Sequence, residues 1–189
     1  MLPCLTGSFP EDDLCGYNEL SSIIREYVPD QRTEIADFGC GYSGVLLSLY
    51  GQGYHLLTGI DIDYAVVSKM AEKTKTIESI DWRAEDIRSL PLPNETFGCI
   101  LFKNVFSMTT LQLDICSAIE AVHEAHRVLC HNGVLICVST LSSEQLSMVL
   151  QGPGLTWTPV SISTSHSLAG AEQQPAPRVP YIVAILRKP

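Results

Sequence analysis

The sequence predicts an α/β fold: a doubly wound, mostly parallel seven-stranded sheet that closes in an antiparallel C-terminal hairpin. Three observations carry that expectation. Short apolar runs of strand length alternate with segments of helical period through the first two thirds of the chain, the βαβαβ order of a parallel sheet covered by helices. The run Glu34-Ile35-Ala36-Asp37-Phe38-Gly39-Cys40-Gly41-Tyr42-Ser43-Gly44 reads as a buried strand passing through a glycine loop into a helix. Near the end, Leu155–Ile162 and Tyr181–Arg187 flank a Ser-, Ala-, Gln- and Pro-rich connection from Ser163 to Pro180 and read as the closing hairpin.

The elements follow in order. Tyr17, Leu20, Ile23, Ile24, Tyr27 and Val28 recur at a helical period, and Pro29-Asp30 stops that helix. The strand before Gly39 comes next, then a helix to about Tyr50 whose apolar side is Val45, Leu46, Leu47 and Leu49. A strand is expected at His55–Ile60, a helix at about Tyr64–Thr74 with Val66, Val67 and Met70 on one side, and a third strand near Ile80–Arg83. Phe97–Phe102 is apolar enough for a buried central strand. A long helix runs from about Leu113 to Leu129, with His131-Asn132-Gly133 as its stop, and Val134–Ser139 is the next buried strand.

The glycines invite a ligand, because they let backbone approach it closely and adopt positive φ. Gly39-x-Gly41-x-x-Gly44 matches the dinucleotide fingerprint, and Asp61 stands near the spacing of its ribose acid. Three features favour another nucleoside ligand. Asp37 precedes the loop, where it repels a pyrophosphate and attracts a cationic amino-acid group. A further acid, Asp86, follows the third strand in Arg83-Ala84-Glu85-Asp86-Ile87, and nothing downstream resembles a hydride-transfer site.

These motifs, with Leu90-Pro91-Leu92-Pro93-Asn94-Glu95-Thr96-Phe97-Gly98-Cys99-Ile100 and Glu124-Ala125-His126-Arg127-Val128-Leu129-Cys130-His131-Asn132-Gly133-Val134-Leu135, resemble the ordered motifs of the class I, Rossmann-like, S-adenosylmethionine-dependent methyltransferases. A narrower set, Gly41-Tyr42-Ser43, Asp61, Lys103 and the short closing hairpin, is similar to the methyltransferase-like proteins that methylate lysines of elongation factor 1-alpha or citrate synthase.

The resemblance implies S-adenosyl-L-methionine as cofactor and assigns it Asp37, Gly39, Cys40, Gly41, Asp61, Ile62, Asp86, Ile87 and Lys103. In a doubly wound sheet these positions meet at the carboxyl ends of the strands. Backbone at Gly39 and Gly41 would hold the methionine portion, Asp61 the ribose hydroxyls, Ile62 an adenine face and Asp86, beside Ile87, the adenine amino group. The acceptor pocket is expected at Phe102-Lys103-Asn104-Val105-Phe106 and the N-terminal segment. Here the lysine-methylating relatives carry an Asp or Glu followed by Lys-Gly-Thr; in this chain Phe102 replaces the acid and Asn104-Val105 replace Gly-Thr. The implied function is methyl transfer to nitrogen, on a protein lysine. The alternatives are a small-molecule acceptor, or a catalytically silent methyltransferase-like subunit that binds a partner protein.

Composition bounds these readings. A chain of 189 residues suits one domain, taken as an N-terminal arm at 1–16 and a domain at 17–189. No apolar run reaches the roughly 20 residues needed to span a bilayer. The start, Met1–Pro10, lacks a basic n-region and a continuous apolar core, so a signal peptide or mitochondrial presequence is not expected. Seven cysteines without a Cys-x-x-Cys pair read as reduced thiols in the cytoplasm. A net charge of −9 argues against sequence-independent nucleic-acid binding and suits a basic protein partner or a small substrate.

The other constellations read as structural. His123 and His126 are expected as solvated helix residues without the spacing of a zinc pair. Cys40 is a small residue fitting its loop, Glu124 and Arg127 anchor their helix, and Trp82 and Trp157 pack in the core or at an edge.

Overall fold

The computed structural model describes residues 17–106, 114–164 and 180–189. The arm at 1–16 with Cys4 and Cys15, the expected helix start at Leu113, and most of the Ser163–Pro180 connection lie outside the described residues. The chain order is α1 (Tyr17–Tyr27), β1 (Ile35–Phe38), α2 (Val45–Gly51), β2 (Leu57–Asp61), α3 (Tyr64–Lys73), β3 (Ile80–Ala84) and β4 (Phe97–Lys103). There follow α4 (Ile115–Val128), β5 (Leu129–Ser139), α5 (Ser143–Leu150), β6 (Thr158–Thr164) and β7 (Ile182–Arg187). One seven-stranded sheet runs in the order β3-β2-β1-β4-β5-β7-β6. Strands β1 to β5 pair in parallel, and β7 lies antiparallel between β5 and β6. The strand order reverses between β1 and β4, which puts the switch-point crevice at Phe38 and Lys103.

Alternate residues of the central strands feed two cores. Ala36 and Phe38 of β1, Ile100 and Phe102 of β4, and Leu135 and Cys137 of β5 pack with Ala118, Ala121, Val122 and Ala125 of α4 and Leu146 and Val149 of α5. Ile35, Cys99, Leu101, Ile136 and Val138 face the other way, onto Leu20, Ile23 and Ile24 of α1 and Val45, Leu46 and Leu49 of α2. The near-continuous apolar runs seen in the sequence follow from this burial on both faces. Gly59 in β2 is dictated by contact, since a Cβ there would lie 2.4 Å from the Trp82 ring. Trp82 in turn donates its indole N–H to Thr74 Oγ1 at 2.8 Å, the packing role expected of it.

Three details differ from the sequence reading. His131-Asn132-Gly133 does not terminate α4: the helix ends at Val128, Leu129 is already extended at φ −80°, ψ 134°, and the three residues lie inside β5. They form an irregularity in that strand, because the register jumps from Phe97↔Leu129 to Cys99↔Val134. Asn132 takes φ 61°, its N–H donates to Lys188 O at 2.9 Å, and the Lys188 ammonium reaches Leu129 O at 2.7 Å. The first hairpin strand starts at Thr158, three residues after Leu155. Helix α5 was not expected at all, although Ser142 and Gln145 form a reciprocal capping box at its start and Leu146, Val149 and Leu150 give it a buried side.

The long connection from β3 to β4 is fastened to α4. Glu124 Oε1 accepts from Leu90 N–H at 2.6 Å, and Arg127 donates to Leu90 O at 3.2 Å, Leu92 O at 2.9 Å and Asn94 Oδ1 at 2.8 Å. The two side chains close on each other with bonds of 2.6 and 2.8 Å. This is the anchoring role expected of the pair, extended to a second segment. Replacing Arg127 by Ala strands two carbonyls and the mostly buried Glu124 carboxylate, and urea denaturation should show a loss of about 2–4 kcal/mol. The Arg127 guanidinium holds the Glu124 carboxyl below its ordinary value of 4.5. The unfolded chain therefore takes up that proton at higher pH than the folded one. The contribution is whole above pH 4.5 and is lost as pH falls through the folded value, so Glu124→Gln should flatten that limb of a stability–pH curve.

Candidate functional site

The chain leaves β1 through Gly39 at φ 66° and Gly41 at φ 50°, conformations that residues with a Cβ rarely adopt. The turn is tight as well as left-handed, since a Cβ on Gly39 would lie 2.8 Å from Val105 Cγ2. Gly39 and Cys40 N–H groups donate to Ile60 O at 2.8 and 3.0 Å, continuing the ladder past the strand end. Gly41 N–H then points across to β2 and donates to Asp61 Oδ2 at 2.9 Å, while Asp63 N–H donates to Asp61 Oδ1 at 3.0 Å. Each carboxylate oxygen thus holds one backbone amide and keeps acceptor capacity for a ligand. Asp63 itself caps α3 through Ala65 N–H at 2.8 Å, which fixes the turn that carries Ile62.

Beside this turn lies a cleft of about 250 Å³ lined by Gly39, Asp61, Ile62, Asp86, Ile87, Arg88, Val105, Phe106, Ser117, Ala118 and Ala121. Its walls are the loops after β1, β2, β3 and β4 and the first turns of α4, as the switch-point rule requires. Ile62 is 70% exposed at its mouth, an apolar side chain left without cover. Of the residues expected from the sequence, Gly39, Asp61, Ile62, Asp86 and Ile87 meet here, and Gly41 is joined to them through Asp61.

Asp37, Cys40 and Lys103 are placed elsewhere. Asp37 is only 1% exposed, and its position in β1 puts it on the sheet face of Ile35, the α1 and α2 side. Lys103 shares that face at the end of β4, where its ammonium lies 3.5 Å from Ser43 Oγ. Cys40 is buried. None of the three is in the lining of the cleft: Asp37 and Lys103 lie on the α1–α2 face of the sheet, and Cys40 is buried within the glycine loop itself.

Asp86 is ionised and engaged. Its Oδ1 accepts from the Arg88 N–H at 2.9 Å and Nε at 3.0 Å, and its Oδ2 from Nε at 3.0 Å and Nη2 at 2.6 Å. The guanidinium holds the carboxyl below the usual carboxylate range. Arg88 also donates to Ser117 Oγ at 2.9 Å, and Ser117 bonds to Asp114, the N-cap of α4. Sequence reasoning missed Arg88, Ser117, Ala118 and Ala121; the last two were visible only as part of an apolar helix stripe.

At the end of β4 the departure noted in the sequence has a physical account. Phe102 is fully buried, edge-on to Phe38 with ring centroids 5.6 Å apart, and 4.8 Å from the Phe106 ring. Asn104 adopts φ 59°, which asparagine tolerates better than most residues, and its N–H donates to Val138 O at 2.8 Å. Asn therefore keeps a conformation that glycine takes freely. His126 stacks edge-on against Trp157 at 4.7 Å and lies 3.2 Å from Thr156 O, so it is a packing residue rather than a solvated one.

The comparisons agree with this geometry. The family model described as a methyltransferase domain matches residues 36–137, from β1 into β5. The eEF1A lysine and N-terminal methyltransferase of Danio rerio is 28% identical over 131 residues, 69% of this chain and 19% of that protein, so the chain spans about a fifth of this relative's length. Among solved structures, the [4+2]-cyclase SpnF aligns with a TM-score of 0.71 at 19% identity, over 91% of this chain and 80% of that one. A Burkholderia thailandensis 1,6-didemethyltoxoflavin-N1-methyltransferase, solved with S-adenosylhomocysteine, aligns at 0.70 and 16% identity, over 93% and 79%. With the family model covering more than half of its length and a seven-stranded, mostly parallel sheet beneath it, the chain belongs to the class I S-adenosylmethionine-dependent methyltransferase family.

Proposed function

We propose that the chain transfers a methyl group from S-adenosylmethionine to a nitrogen nucleophile, a lysine of a protein substrate. The observation that carries the cofactor half is the Asp61 carboxylate, steered by Gly41 and Asp63 amides toward a cleft with apolar walls. The residues present fit the nucleoside part of that cofactor. Asp61 has one acceptor position per oxygen for a ribose diol, Ile62 and Ile87 offer apolar faces to a flat base, and no lysine or arginine stands in the glycine loop to meet a pyrophosphate. Gly39 and Gly41 would carry backbone along the methionine portion, with the acidic Asp37 behind the loop.

The cofactor supplies an activated methyl on a cationic sulfur. The chain must hold a neutral nitrogen in line with it and keep water away. Val105, Phe106 and the Ala118–Ala121 side of α4 make a dry wall next to the glycine loop, and burial there favours the uncharged amine. The lysine target rests on the zebrafish relative's name at 28% identity and on Lys103. The partners follow from the same reading: a protein substrate, or else a small-molecule acceptor, with a partner subunit as the third reading. The last is favoured by Phe102, which fills with a buried aromatic ring the place of the relatives' acid. Turnover by the isolated chain on elongation factor 1-alpha separates these. Label in the factor supports the lysine reading, label in the small-molecule fraction of a lysate the second, and binding without turnover the third. A cytoplasmic setting suits Cys99, Cys116, Cys130 and Cys137 as reduced thiols. Among the described residues no helix is long and apolar enough to cross a membrane.

Calorimetric titration with S-adenosylhomocysteine should give binding to wild type and a roughly 10- to 100-fold weaker affinity for Asp61→Ala, the worth of one or two hydrogen bonds to a charged group. Absence of heat with the wild-type chain sinks the proposal. Gly39→Ala should also lose affinity and cost about 1–2 kcal/mol of stability for its left-handed φ. Adding Val105→Ala should recover part of the loss due to contact and none of that due to φ.

A further inference from the structure

On the reading above, Asp86 faces the base of the cofactor. Yet both of its oxygens are already engaged: three N–H groups of Arg88, the backbone amide, Nε and Nη2, lie on them within 3.0 Å, with the single Nε hydrogen shared between Oδ1 and Oδ2. Of a carboxylate's roughly four lone-pair sites that leaves about one, on an anion whose charge the guanidinium already offsets, so a base amino group gains the full strength of a bond to a free carboxylate only when the guanidinium withdraws. Arg88 is moreover strapped across the cleft, from the loop after β3 to Ser117 on α4, and it lines the same cleft as Ile62 and Ile87. The pair is partly exposed, with Arg88 at 42% and Asp86 at 33%, so the guanidinium has room to swing out.

We propose that Arg88 gates base recognition, competing with the base amino group for Asp86 and thereby setting both the affinity of the cleft and its preference at the 6-position of the purine. With Arg88 closed, that wall presents N–H donors; with Arg88 displaced, it presents a carboxylate. An amino group suits the second state, and a 6-oxo group is repelled by it.

The test uses the chain with Arg88→Ala and Arg88→Lys, each checked for folding by thermal melt. S-adenosylhomocysteine and its 6-oxo counterpart S-inosylhomocysteine are titrated calorimetrically at low and high KCl. Removing the competitor should tighten S-adenosylhomocysteine about three- to tenfold, the scale of a well-formed but partly exposed ion pair, without tightening the 6-oxo ligand. Arg88→Lys, which loses the bidentate fork, should fall between. Salt should tighten S-adenosylhomocysteine binding to wild type by screening the pair, and leave Arg88→Ala unaffected. An unchanged or weakened affinity in Arg88→Ala, or a parallel shift for both ligands, overturns the gate while leaving the methyltransferase reading intact. If Arg88→Ala does not fold, Arg88→Lys and the salt series decide in the same sense. No binding by wild type overturns the methyltransferase reading and the gate with it.

Discussion

The pairing of β1 with β4 is buried on both faces, and the architecture around it answers that constraint. Ile35, Ala36 and Phe38 on one strand and Cys99, Ile100 and Phe102 on the other have no exposed surface. A pair so placed needs a helical layer on each side, which α1 with α2 and α4 with α5 provide. The chain must then leave β1 toward β2 and leave β4 toward β5, in opposite directions along the sheet. The two exits cannot both lie flat, and the gap between them is the crevice. Gly39 turns so close to Val105 that a Cβ on it would lie 2.8 Å from Val105 Cγ2, because both exits share that gap.

The same alternation divides the chemistry. Asp37, two residues after Ile35, and Lys103, two after Leu101, fall on the α1–α2 face, where Ser43 meets the lysine. Phe38 and Phe102 fall on the other face, beneath the cleft. The acids at 61 and 86 escape this division because they stand at or beyond the strand ends, where a side chain can turn toward the loop. Asp61 is drawn to the glycine loop by Gly41 N–H, and this bond makes one site out of two connections 20 residues apart.

This distinction explains what was legible in the sequence. Periodicity reports burial, so the βα alternation, the central strands and the hairpin could be read from apolar spacing. Glycines before a helix and an acid at a strand end report a turn and its partner, so the turn at Gly39 and Gly41 and its tie to Asp61 were readable. Face assignment depends on strand register, and a four-residue strand does not reveal its register; Asp37 and Lys103 were therefore grouped with the cleft. Arg88 was invisible because its role arises from Asp86 two residues before it and Ser117 29 residues after it. Helix α5, eight residues long, offered a capping box that was not used. His131-Asn132-Gly133 has the composition of a helix stop, but the pull of Lys188 and the C-terminal strand makes it part of β5.

The end of β4 shows how a motif can change in side chain while keeping its backbone. Asn104 holds φ 59° and bonds to Val138, so the peptide leaves the strand as a glycine would let it. Phe102 makes the opposite exchange, filling the space between Phe38 and Phe106 with an aromatic ring. A carboxylate placed among those rings would be desolvated against apolar neighbours, at a cost of several kcal/mol. The aromatic cluster and an acid at 102 are therefore alternatives, and this chain has taken the cluster. Whatever selects the acceptor must act from the surfaces that still face the cleft, Val105, Phe106 and the small side chains of α4. Those surfaces are apolar, which favours a nucleophile that arrives uncharged and leaves water behind.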